Sequence, residues 1–116
     1  MERDIVWYRA EEAVNSIGIP VNYKGYYYLI YAVVISIAAG IRKVDIYKEV
    51  YEPIAAANKV SRESVEKCIR SCIKKVRKED PDVFSSLAGH EVENPTNGEV
   101  IAIISRLIRL ESYTGF

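Results

Sequence analysis

The chain is 116 residues long, 49% hydrophobic and 28% charged, with six Gly and four Pro; it can bury one hydrophobic core as a single domain, and the composition excludes a disordered or fibrous chain. Sixteen basic residues balance sixteen acidic ones, a zero total that by itself argues against a phosphate-rich partner. The distribution argues the other way: from Lys59 to Lys78 eight basic residues stand against two acidic ones, a local net of +6, and the other 96 residues carry −6.

The first residues, Met-Glu-Arg-Asp, lack a basic region followed by an apolar run, so no secretory signal is read and a cytoplasmic protein is expected. A first helix is predicted from about Asp4 to Ser16, with apolar Ile5, Val6, Tyr8, Ala13, Val14 and Ile17, stopping at Gly18 before Pro20. The uncharged run Gly25 to Ile41 has 17 residues, short of the ~20 that a membrane-spanning helix needs. It reads instead as a central buried helix from about Tyr26 to Ala39, and no membrane partner is expected. Asp45 is placed to cap a third helix carrying Ile46, Val50, Ile54 and Ala55 to Ala57, with a bend or fresh start near Pro53.

After the turn Asn58–Lys59–Val60–Ser61, a fourth helix is predicted over about 62–77, because Val65, Cys68, Ile69, Cys72, Ile73 and Val76 recur at intervals of three and four. Its remaining arc holds Glu63, Glu66, Lys67, Arg70, Ser71, Lys74, Arg77 and Lys78. Asp80 as cap with Pro81 at the first helical position is expected to open a short fifth helix ending near Gly89. Thr96 and Glu99 form a capping box that starts a sixth helix with Val100, Ile103, Ile104, Leu107 and Leu110 on its apolar face. No segment alternates as a strand does, so the predicted class is all-α, a compact bundle of about six helices.

The third and fourth helices have the layout of a helix-turn-helix, an Ala-rich helix followed by a basic one that fits the ~12 Å major groove of DNA. The plainer reading of the same residues is a solvated basic face on a structural helix. Cys68 and Cys72, four apart on the apolar arc, suit core packing in a reducing compartment better than a disulfide or a metal site, since the chain has one His and no second Cys pair. His90 after Gly89 reads as a loop residue, and no Ser or Asp pattern supports catalysis, so neither enzyme activity nor a cofactor is expected. Tyr23, Tyr26, Tyr27, Tyr28 and Tyr31 are a base-stacking surface or core, and their neighbours Leu29, Ile30, Val33 and Val34 favour core.

Several runs resemble the C-terminal DNA-binding effector domain of the master sporulation response regulator of endospore-forming bacteria. They are Ile17–Gly18–Ile19–Pro20, Lys24–Gly25–Tyr26–Tyr27–Tyr28–Leu29, Val50–Tyr51, Ile54–Ala55, Val65–Glu66, Ile69–Arg70, Ser85–Ser86–Leu87, Pro95–Thr96–Asn97 and Arg109–Leu110–Glu111, in the family's order from about residue 10 to 112. The resemblance implies six helices with a helix-turn-helix, and a transcription regulator that binds promoter DNA as a homodimer on paired sites. It also implies a contact of the fifth-helix region, Asp82 to Gly89, with the sigma subunit of RNA polymerase.

Glu66 and Arg70 stand where that family has its base-reading Glu and Arg, whereas Lys67 and Ser64 each replace an Arg. The candidate DNA-binding residues are therefore Arg62, Ser64, Glu66, Lys67, Arg70, Ser71, Lys74 and Lys75, with Arg62, Lys74 and Lys75 meeting phosphates. The alternative function is a protein-interaction module that keeps the fold and has lost base reading. The family's usual receiver domain is not in these residues.

Overall fold

A computed structural model describes residues 3–40 and 44–114, with side-chain surroundings described for 5–40 and 44–110. Ile41, which ends the uncharged run, and the side chain of Glu111 lie outside the described residues. Within them the chain is all-helical: α1 Arg3–Ile17, α2 Lys24–Ala39, a π-wound segment Ile46–Tyr51 running directly into α3 Glu52–Asn58, then α4 Arg62–Glu79, α5 Val83–Ala88 and α6 Asn97–Thr114.

Local chemistry accounts for most of these boundaries. Gly18 ends α1 with φ +105°, a conformation L side chains rarely adopt. Asp45 caps the π-wound segment as expected, its Oδ1 accepting from the backbone N–H of Tyr47 at 3.1 Å and of Lys48 at 3.3 Å. Glu49 completes a reciprocal box by accepting from the N–H of Asp45 at 2.7 Å. Pro53 brings no N–H, and its ring crowds the carbonyl four residues back, so the preceding turn opens to a wider winding in which the N–H of Glu52 donates to the carbonyl of Tyr47. The expected discontinuity at Pro53 thus takes the form of a change from π to α winding within one continuous helical stretch. Thr96 and Glu99 form the predicted capping box, each accepting from the other's backbone N–H at 3.0 and 3.1 Å.

Three boundaries differ from expectation by two residues, one being the end of the fourth helix, which runs on to Glu79 rather than stopping near 77. The second helix begins at Lys24 rather than near Tyr26, so that Gly25 lies inside it. The fifth begins at Val83, not at Pro81: Asp80 spends its side chain on the N–H of Asp82 at 3.2 Å, a local turn that competes with helix capping, and Asp82 becomes the residue before the helix.

α2 lies at the centre and packs against α1, α4 and α6. Its Leu29, Ile30 and Val33 are fully buried in one core with Val14 of α1, Val65 and Ile69 of α4 and Val100 and Ile104 of α6. Burial of such side chains stabilises the fold by roughly 1.5–3 kcal/mol each. The Tyr segment divides accordingly: Tyr26 and Tyr28 are buried, Tyr23 is half-buried, and Tyr27 and Tyr31 are exposed on the rim. At the start of α2, Gly25 presses on α4 so closely that a Cβ there would collide with the carbonyl of Cys68 and the Sγ of Cys72. That approach sets the depth at which α4 sits, and therefore which of its residues stay outside.

Candidate nucleic-acid interface

α3 and α4 are joined by a tight turn whose geometry is written in its hydrogen bonds. Lys59 takes the left-handed conformation at φ 55°, ψ 43°, while the N–H of Val60 donates to the carbonyl of Ala55 at 3.0 Å and that of Lys59 to Ala56 at 3.4 Å. This paired arrangement satisfies carbonyls that the end of a helix would otherwise leave open. Ser61 then caps α4 through its hydroxyl, which accepts from the N–H of Ser64 at 3.1 Å. Of the three alanines of α3, Ala55 is buried, whereas Ala56 and Ala57 are exposed.

α4 has a dry side and a wet side. Val65, Ile69, Cys72, Ile73 and Val76 are buried, and Lys67, Arg70, Ser71, Lys74 and Lys78 are exposed together along the opposite arc. Glu63 in the first turn and Arg77 and Lys78 in the last match the helix dipole. Cys68 is half-buried against the core and Cys72 is fully enclosed, and burial pushes the Cys72 thiol up to about 11. Among the described residues no group of three or more His, Cys, Asp and Glu stands close enough to hold a metal ion. His90 is exposed beside Glu91, its Nδ1 3.2 Å from that residue's carbonyl oxygen.

The predicted DNA-binding residues do not all lie together. Lys67, Arg70, Ser71 and Lys74 share the open arc, and Arg62 is exposed at the N-terminal end. Ser64 and Lys75 are half-buried, and the Nζ of Lys75 sits 2.8 Å from Glu79, whose carboxylate holds its pKa above the usual lysine value. Arg77 donates to the side-chain oxygen of Asn94 at 3.0 Å in the loop before α6.

Glu66 lies on the flank facing the π-wound segment, and both of its carboxylate oxygens are engaged. Arg70 donates to Oε1 at 2.7 Å and the Tyr47 hydroxyl donates to Oε2 at 2.7 Å. The Glu66 carboxylate raises the pKa of Tyr47, first through that hydrogen bond and then through its charge. The Arg62 guanidinium lies 5.9 Å from the Tyr47 ring centroid, within cation–π range. The Tyr47 ring stands edge-on to Tyr51 at 5.3 Å. Buried Asn97 donates from Nδ2 both to the Tyr51 hydroxyl and to the backbone carbonyl of Glu66, each at 3.0 Å. Sequence reading singled out neither Tyr47 nor Asn97 for a role at this site, because their partners lie 19 to 46 residues away. The signal closest to it was Asn97 in the Pro95–Thr96–Asn97 run.

A family model described as sporulation initiation factor Spo0A C terminal matches residues 10–108. The match takes in all of α2 to α5 and most of α6, hence both the basic arc of α4 and the Asn97 contact that braces it. This chain therefore belongs to the Spo0A C-terminal domain family of transcription-factor DNA-binding domains.

Proposed function

We propose that the chain binds double-stranded DNA in a sequence-specific way, with α3 and α4 as a helix-turn-helix and the exposed arc of α4 in the major groove. The observation that carries this reading is the joint exposure of Lys67, Arg70, Ser71 and Lys74 on one side of a helix whose other side is buried in the core. Lys and Arg at such positions hydrogen-bond guanine O6 and N7, a carboxylate such as that of Glu66 accepts from cytosine N4, and the outlying cations meet phosphates. Arg70 reads a base in partnership with Glu66, whereas Arg62 and Lys74 hold the backbone. Pairing of two copies on adjacent sites, and a contact of the Asp82 to Gly89 region with a polymerase sigma subunit, belong to the same reading.

Selection of bound sites from a random duplex pool tests it. The chain is expected to enrich one motif and to prefer it over scrambled duplex by about 10³-fold or more. Arg70→Ala is expected to cost about 1–3 kcal/mol on that motif and to relax the choice at one base position. Weak binding that ignores sequence would instead leave α4 as a protein-docking face.

A further inference from the structure

We propose that Tyr47, outside α3 and α4, is a specificity-determining residue that positions Glu66 for its base. The inference rests on the reading of α4 as the DNA-reading helix and names a residue that reading does not require.

A glutamate on a helix surface samples many rotamers, and a single exposed ion pair with Arg70 does little to restrain it. Here the carboxylate is gripped from two directions, by Arg70 on Oε1 and by the Tyr47 hydroxyl on Oε2. A carboxylate has about four lone-pair sites, so both grips leave room to accept from a base amino group. Tyr47 is itself held in place. Its backbone N–H is bound by the Asp45 cap, and its ring is set edge-on against Tyr51, which is 2% exposed and fixed through its hydroxyl by Asn97. Arg62 flanks the same ring. The hydroxyl therefore reaches Glu66 from a stiff support, the condition under which a supporting hydrogen bond turns one side-chain geometry into base choice.

Tyr47→Phe removes the donor and keeps the ring, so packing against Tyr51 survives. The test is a double-mutant cycle of Tyr47→Phe, Glu66→Ala and both together, read as the ratio of affinities for two duplexes. One is the selected site, and the other is changed only at the base pair where Glu66→Ala relaxes preference. Tyr47→Phe is expected to lower that ratio about tenfold, the worth of one charge-assisted hydrogen bond, with no change in affinity for scrambled duplex or in its salt dependence. The double variant is expected to be no worse than Glu66→Ala alone. The proposal is overturned if Tyr47→Phe leaves the ratio unchanged, weakens all duplexes equally, or multiplies with Glu66→Ala. A parent chain with a ratio of one removes the DNA-reading function itself, and this role with it.

Discussion

Lys59 carries a Cβ into a backbone region that favours glycine, at φ 55°, and for an L residue that costs roughly 1–2 kcal/mol. Glycine there relieves the strain and gives back part of the gain as unfolded-chain entropy. Lys59→Gly is therefore expected to stabilise the chain by about 0.5–1 kcal/mol, seen in calorimetry as a rise in Tm of a few degrees. An unchanged or lower Tm would contradict that account of the turn. Residues whose roles depend on near neighbours were legible in the sequence: Asp45 as a cap, Thr96 and Glu99 as a box, Cys72 on the apolar side. Asp80 was misread because Asp80–Pro81–Asp82 offers two cap candidates, and only the folded turn shows that Asp80 turns to Asp82. Tyr47 and Asn97 were silent for another reason, since a phenol or an amide has no periodicity that announces a partner on a different helix.

The crossing of α2 over α4 is a tight constraint, because Gly25 leaves no room for a Cβ between its own backbone and Cys68 and Cys72. Helix periodicity placed the buried side of α4 correctly, but the depth of the contact depends on a glycine that an isolated reading counts as a weak helix former. Cys72 reports on the same crossing. Burial pushes its thiol up to about 11 from an ordinary 9.0. The unfolded chain thus loses this proton first, so the contribution is intact below pH 9 and disappears as pH rises toward 11. Cys72 is expected to contribute a fall of about 2–3 kcal/mol over that window, beside the fall from the raised Tyr26, Tyr47 and Tyr51 hydroxyls, and in denaturant melts a Cys72→Ala variant is expected to lose the Cys72 share. An identical alkaline profile in the variant would remove Cys72 as its source.

At the scale of the molecule, neutrality hides a segregated charge: +6 between Lys59 and Lys78 and −6 elsewhere. No described helix is long and apolar enough to cross a membrane. The structure also ranks the cations that sequence position alone treats alike, since Lys74 is open and Lys75 is paired with Glu79. Each phosphate contact contributes about 0.9 to the slope of log K against log salt. Lys74→Ala is expected to lower that slope by roughly one on every duplex, and Lys75→Ala by clearly less. Equal losses from the two variants would show that the Glu79 pairing does not persist on DNA.

α6 opens at Asn97, and that first residue rests on the carbonyl of Glu66. From there the helix runs 18 residues to Thr114, about 27 Å at the ordinary helical rise. It is also tied to the far end of α2, where Arg109 donates to the carbonyls of Ser36 and Gly40 at 3.0 and 2.7 Å. α6 is in effect a strut between the far end of α2 and the backbone of Glu66, so it fixes where that carboxylate starts from without contributing a single residue to the basic arc.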